Sequence, residues 1–315
     1  MYSKALLLAL LPTAFGHIGL WHPSAYDFNG DGYTLVVPMS GLSFNQWWFH
    51  GNLAKKPTGA PMSLPAGGSV TVELACNKAY TSYGNQGDGR TACPTDVGSY
   101  HAGNPIDPNQ IMGCGLAIAY KSNANDVKQE DFAIFSINTN CVRDLKTVFS
   151  VPAKMPACPG GKCICAWFWQ GQSSANEMYM TGFDCNVTGA SSTVAIGKPA
   201  PPKYCANGGC VTGPKQPLYW ANSNPNVVFS GDYYQKPSYN SKWGFQNGAQ
   251  NDIFSGGNSP PVSNPPSQQT SFISLTTTAP AAAATCAWAG HCKGAACATD
   301  NDCSDSLICS GSKCS

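Results

Sequence analysis

Sixteen cysteines partition this chain before any other feature does. Ten lie between Cys76 and Cys210, and six lie between Cys286 and Cys314. An even number in each group lets each region close its own bridges, and disulfides persist in an oxidising compartment. CPGGKC (Cys158 to Cys163) and CANGGC (Cys205 to Cys210) each set a Gly-Gly turn between two cysteines, so local pairing is expected there. A zinc site at either pair is the competing reading, and secretion disfavours it. Between the groups, residues 255–285 are rich in Pro, Ser, Thr and Ala without an apolar period. That composition predicts a disordered, O-glycosylated linker. Residues 286–315 then form a separate cysteine-rich module, too small to fold without its bridges. Trp288 is its only aromatic residue, a thin platform for binding sugar.

From His17 to Val187 the chain is a series of short apolar runs between turn residues. Strands are expected at Tyr33–Val37, Ser69–Ala75, Gly115–Lys121, Phe132–Ile137, Thr147–Val151, Cys163–Gln170 and Glu177–Val187. Ser69–Ala75 alternates cleanly, with Val70, Val72 and Leu74 on one face. No long segment carries a helical period. The pattern predicts an all-β fold, an antiparallel β-sandwich with long loops. If Cys165 and Cys185 stand opposite each other in a hairpin, Trp167 faces Phe183 and Tyr179 lies near the turn. PAPPK breaks regular structure near Lys203, and 204–254 reads as an extended segment packed on the sandwich, completing a domain of residues 17–254.

The first sixteen residues, MYSKALLLALLPTAFG, have a basic Lys4, an apolar run and small residues Ala14 and Gly16 at the −3 and −1 positions of a peptidase site. This predicts a removable signal peptide over 1–16, and hence a secreted, extracellular protein with His17 as its first residue. The apolar run is too short for a membrane span, and no other resembles one. Without Lys4 the balance is 17 basic to 17 acidic residues, so no basic patch is available for nucleic acid. Sparse charge, at 11%, with abundant Gly, Asn, Trp and Tyr, suits an uncharged polymer such as a polysaccharide as partner. The protein is expected to be a monomer. Asn186-Val187-Thr188 is the one clear N-glycosylation sequon, with the sugar expected just past the Glu177–Val187 strand.

Five histidines in 315 residues put one at any given position about once in sixty chains, so a histidine at the mature N-terminus is informative. Such a residue offers its α-amine and its Nδ1 to one metal ion in a six-membered ring. The amine titrates at about 7.7–8.0 and releases its proton to a metal near neutral pH. A second histidine completes a three-nitrogen set, which suits copper. The residues leave His22, His50 and His101 open as that second ligand. His22 is near in sequence. His50 follows Trp47-Trp48-Phe49 and reads as a packed histidine. His101 lies in a polar loop, GSYHAGNP, and is favoured because loops at a sandwich end commonly carry ligands. His291 belongs to the C-terminal module.

Several segments together resemble a known family. They are HIGLWHPSAY from His17, FNQWWFHGNL at Phe44–Leu53, CGLAIAY at Cys114–Tyr120 and EMYMTGFDC at Glu177–Cys185, with YWANSNPNVVF and KWGFQNGAQNDIF extending the likeness to Phe254. They resemble the fungal lytic polysaccharide monooxygenases of auxiliary-activity family fourteen. The resemblance implies an immunoglobulin-like sandwich holding one copper ion in a histidine brace, with His17 giving amine and Nδ1, His101 an imidazole nitrogen, and Tyr179 in the axial position. Glu177, two residues before Tyr179, is expected on the same strand face, where it can orient an oxygen species or exchange protons. The implied reaction is oxidative. An external reductant and hydrogen peroxide or dioxygen support hydroxylation beside a glycosidic bond in insoluble cell-wall polysaccharide, xylan on cellulose being the family's associated substrate. Trp21, Trp47 and Trp48 are candidates either for sugar stacking or for the core. The competing readings are a non-catalytic copper-binding protein with the same brace, and a hydrolase working with paired carboxylates.

Overall fold

The computed structural model describes residues 17–51, 53–172, 177–208, 211–229 and 236–254, with Gly294, Ala296 and 309–315. The predicted signal peptide, the 255–285 linker, His291 and most of the cysteine-rich module lie outside the described residues. The chain divides into two compact units, 1–262 and 263–315.

In the first unit, strands β1 (Gly19–Trp21), β3 (Ser69–Ala75) and β6 (Lys146–Ser150) form a three-stranded antiparallel sheet in the order β1-β3-β6. A six-stranded sheet runs β2-β8-β7-β4-β5-β9. Its members are β2 (Met62–Pro65), β4 (Cys114–Ala119), β5 (Ala133–Asn138), β7 (Cys163–Trp169), β8 (Tyr179–Thr188) and β9 (Gly248–Ala249). All its pairings are antiparallel except β2 with β8. In the second unit, β10 (Cys309–Ser310) pairs antiparallel with β11 (Lys313–Cys314).

Alternation along each strand sorts the side chains. Val72, Leu74 and Phe149 of the small sheet meet Leu116, Phe135, Trp167, Trp169, Tyr179 and Phe183 of the large one, and this is the sandwich core. The other face of the large sheet is also covered. Ala117, Ile134, Ala166, Phe168 and Met180 pack beneath Trp47, Trp48, Phe49, Tyr219, Tyr239, Trp243 and Phe245. Burial on both faces explains why CGLAIA and CICAWFW are apolar throughout instead of alternating. The architecture is therefore an all-β, immunoglobulin-like sandwich with a third, mostly irregular layer. The sole α-helix among the described residues, α1 (Phe44–Trp47), belongs to that layer.

Four bridges are present among the described residues: Cys76–Cys93, Cys114–Cys141, Cys158–Cys163 and Cys165–Cys185. The zinc reading of Cys158 and Cys163 falls with the third. Cys205 is also disulfide-bonded, while Cys210 lies outside the described residues. The hairpin register differs from the expected one. Cys165 stands opposite Phe183 and Trp167 opposite Thr181, so the Cys165–Cys185 bridge is diagonal, with Cα atoms 5.8 Å apart. Tyr33–Val37 is not a strand. It contains a 3-10 turn at Thr34–Val36, because Asp31 accepts hydrogen bonds from the Tyr33 amide and the Thr34 hydroxyl and so curls the chain. Strands β1, β2 and β9 carry two to four residues each, too few for a period to be visible.

Asn186 lies within β8, which continues to Thr188, and pairs with Ser63 of β2. The sequon's Thr188 hydroxyl is hydrogen-bonded to Ser63 Oγ at 2.9 Å.

His50 sits in the third layer, and its Nε2–H donates to the Met180 carbonyl at 2.8 Å. Its Nδ1 is sealed from solvent and has no partner among the described residues. A second proton at Nδ1 would be a buried donor without an acceptor, and burial pulls the imidazole down to about 4. As pH falls below about 6.5, the unfolded chain takes up this proton while the folded chain does not. Stability present above about 6.5 is therefore expected to be lost down to about 4, by about 3 kcal/mol. Melting curves of the wild type and a His50→Gln variant between pH 7 and 4 check this. The variant should gain on the wild type as pH falls, and parallel curves would refute the assignment.

Candidate metal centre

The pairing of β1 with β3 sets Gly19 against Ala75 and leaves His17 just ahead of the strand. The Leu20 amide donates to Thr181 Oγ1 at 3.1 Å, which ties this end of the chain to β8. His101 arrives from a different loop. A 3-10 turn at Val97–Tyr100 is capped by Asp96, whose carboxylate accepts from the Gly98 amide at 2.9 Å. The Tyr100 hydroxyl accepts from the Cys93 amide at 2.7 Å, next to the Cys76–Cys93 bridge. His101 closes the turn in the left-handed region, at φ 50° and ψ 35°. For a residue with a Cβ this conformation costs about 1 kcal/mol and turns the side chain off the turn's own course. Tyr179 opens β8 opposite Trp169, the last residue of β7.

These elements bring His17, His101, Tyr179 and Glu177 together. The imidazoles of His17 and His101 have centroids 6.5 Å apart and planes at 77°. The Tyr179 ring lies 5.5 Å from His17 and 6.1 Å from His101. His101 Nε2 is 3.2 Å from the Tyr179 oxygen. The Tyr179 hydroxyl donates to Glu177 Oε2 at 2.7 Å, and that carboxylate oxygen lies 3.8 Å from His101 Nε2. The side chain of His101 is 15% exposed and that of Glu177 28%, so the cluster reaches solvent at this end. Trp169 backs it, stacked 5.7 Å from His101 and tilted 4.8 Å from Tyr179.

Burial, then the hydrogen bond to Glu177 and its negative charge, hold the Tyr179 phenol far above its ordinary range, so it is a neutral donor at neutral pH. Lys236 is buried nearby and donates to the Gln172 carbonyl at 3.1 Å. Burial pulls its ammonium down to about 8, against the opposing charge of Glu177.

The donor chemistry suits copper. Two imidazoles facing each other across one ion, at metal–nitrogen distances near 2.0 Å, put their centroids about 6 Å apart, close to the separation of His17 and His101. Among the described residues no three His, Cys, Asp or Glu side chains are grouped to hold a metal. A metal between these two rings therefore needs a further donor, and a free amine at His17 would be of the right kind.

The other candidates lie differently. His22 is taken up locally: its Nδ1 accepts from the Ser24 amide at 3.1 Å and sits 2.7 Å from Ser24 Oγ, and burial lowers its pKa. His50 is spent on Met180, as above. Trp21, Trp47 and Trp48 are all buried, and Trp21 and Trp48 donate their indole N–H groups to the carbonyls of Ala75 and Ala124. None presents a face to solvent. Sequence reasoning passed over Trp169, Gly171 and Lys236. For Trp169 the signal was available, since residues 165, 167 and 169 of the expected strand share one face and Tyr179 lies near the turn that follows it.

Over residues 2–314 the chain matches the family described as lytic polysaccharide monooxygenase AA14. The match runs past Phe254, where the resemblance read from motifs stops. The chain is 41% identical over 276 residues to the AA14 family lytic polysaccharide monooxygenase B of Trametes coccinea (strain BRFM310), an alignment covering 79% of this chain and 65% of that protein. It is 40% identical over 276 residues to the protein of the same description from Pycnoporus cinnabarinus, covering 79% and 73%. The chain thus spans a little under two thirds of the first relative's length. Among solved structures, CvAA9A aligns with a TM-score of 0.31 at 12% identity, over 57% of this chain and 79% of that one, too low to carry an argument. Among the described residues no helix is long and apolar enough to cross a membrane. The motifs, the two-sheet fold and the extent of these matches agree, and the chain belongs to the lytic polysaccharide monooxygenase AA14 family.

Proposed function

We propose that this protein is a secreted copper-dependent polysaccharide monooxygenase acting on insoluble plant cell-wall polysaccharide, with xylan associated with cellulose as its substrate. The observation that carries the reading is the meeting of His17, His101 and Tyr179 at a solvent-reaching end of the sandwich, in a chain of this family. In this reading the mature chain begins at His17, and one copper ion per chain is held by the His17 amine and Nδ1 and by an imidazole nitrogen of His101. Tyr179 would stand beside the ion, close to both rings. Copper, when bound, supplies the one-electron chemistry through which a reductant and hydrogen peroxide or dioxygen bring about hydroxylation of a C–H bond beside a glycosidic linkage.

The chain's own groups do the rest. Tyr179 keeps its proton, because its hydroxyl donates to Glu177 and burial disfavours the phenolate. Its oxygen is thus a weak, neutral donor. Glu177, partly open to solvent, accepts that hydrogen bond and can hold or exchange a proton at Oε2. Trp169 fixes the planes of His101 and Tyr179 from behind. Residues 17–254 form the copper domain, 255–285 a linker and 286–315 a module of its own. The protein works as a monomer, takes electrons from an external donor, and carries a glycan at Asn186.

The test is incubation of the copper-loaded protein with xylan-coated cellulose and ascorbate, followed by mass spectrometry. Oxidised oligosaccharides are expected, and a chelator should abolish them. Copper binding without oxidised products across several polymers would favour a non-catalytic copper carrier. Cleavage that survives the chelator and needs no reductant would favour a hydrolase.

A further inference from the structure

The turn that follows β7 touches the proposed copper ligand from behind. A Cβ added to Gly171 would lie 2.2 Å from His101 Cβ, 2.9 Å from Cγ and 3.2 Å from Cδ2. Those atoms are the root of the side chain, not its movable end. His101 has little room to retreat: its amide donates to the Gly98 carbonyl at 3.1 Å, its backbone is in the left-handed region, and Trp169 stacks on its ring. Only a glycine allows this approach.

The turn is in turn gripped by residues distant in sequence. Gln170 is buried, its Nε2 donates to the Pro237 carbonyl, and its Oε1 accepts from Trp220 Nε1. Lys236 Nζ donates to the Gln172 carbonyl at 3.1 Å and to the Gly171 carbonyl at 3.5 Å. The two successive carbonyls of Gly171 and Gln172 thus accept from one buried ammonium, which also lies 5.5 Å from the Trp220 ring.

We propose that Gln170, Gly171 and Gln172 form a seat that positions His101, and that Lys236, Trp220 and Pro237 hold this seat in place. The inference rests on the reading of His17 and His101 as copper ligands. Gly171 and Lys236 are positioning residues in this scheme. A metal–nitrogen bond tolerates about 0.2 Å of error, and a Cβ at position 171 displaces the ring root by more than that. The third layer of the fold therefore has a role beyond covering the large sheet: it sets the position of one ligand through the turn after β7.

The experiment measures Cu(II) affinity by calorimetry and the Cu(II) EPR spectrum of the full chain beginning at His17. Gly171→Ala, Lys236→Met, Lys236→Arg and His101→Ala are compared with the wild type. Gly171→Ala is expected to weaken binding by about 10–100-fold and to alter the EPR parameters. Lys236→Met should do the same more weakly, and Lys236→Arg should restore part of the loss by keeping the donors. Near-UV circular dichroism reports folding; if Gly171→Ala does not fold, the Lys236 pair decides on the same readouts. Wild-type affinity and spectrum in the folded Gly171 and Lys236 variants, beside loss in His101→Ala, would overturn the seat and leave the ligand reading intact. Wild-type behaviour in His101→Ala would overturn the ligand reading and this inference with it.

Discussion

A form of the protein that keeps Gly16 ahead of His17 is expected to bind Cu(II) more than about 100-fold more weakly than the form that starts at His17, a larger loss than a missing supporting contact causes. An acylated nitrogen is a poor donor, and it cannot close the six-membered ring with Nδ1 of the same residue. The His17 imidazole, His101 and a protonated Tyr179 then remain, which is two imidazole nitrogens without the chelate ring. Cu(II) titration of the two forms by calorimetry, with EPR of each complex, checks this. The three-nitrogen signature should appear only in the form starting at His17. Equal affinity in both forms would remove the amine from the site and with it the case for the brace.

Gly182→Ala is expected to destabilise the sandwich by about 3 kcal/mol or more, at the upper end of what overpacking a core costs. Gly182 lies in β8 opposite Ala166, facing the third layer. An added Cβ would stand 1.9 Å from Phe49 Cε1, 2.3 Å from Cδ1 and 2.8 Å from Cζ. The ring has no free side to move toward. It packs 3.9 Å from Tyr26 and 4.1 Å from Trp48, centroid to centroid, and Phe49 itself has a left-handed backbone at φ 47°. For a unit of this size the loss corresponds to a fall in melting temperature of about 6–12 °C. Combining Gly182→Ala with Phe49→Ala should cost less than the sum of the two, because each relieves the other. Strict additivity would mean that the clash is not the cause.

Much of the strand pattern was legible because it is local. Ser69–Ala75 alternates, and the structure forms β3 over that span. Cys163–Gln170 and Glu177–Val187 were placed within two residues of β7 and β8 at either end. The Cys158–Cys163 bridge was readable from a turn that needs only its own residues. The register of β7 on β8 was not. A diagonal and a directly opposed disulfide use the same two cysteines, and only the packed sheet selects between them. The burial of Trp47 and Trp48 was equally undetermined, since an aromatic pair at a surface and one beneath a third layer read alike.

The sequence by itself determined the all-β class, the two groups of cysteines, and the chemical types able to bind copper: a histidine that a peptidase can expose, other histidines, and a Glu-Met-Tyr strand start. Tertiary structure alone decided their neighbourhood. His17, His101 and Tyr179 come from three separate stretches of chain, and pattern along one stretch carries no information about distance to another. The β1–β3 pairing delivers His17, the capped turn before His101 delivers the second ring, and β8 delivers Tyr179 with Glu177. Gly171 shows the same limit most sharply. As a letter it reads as an ordinary turn residue, and only the folded chain sets it against the root of His101.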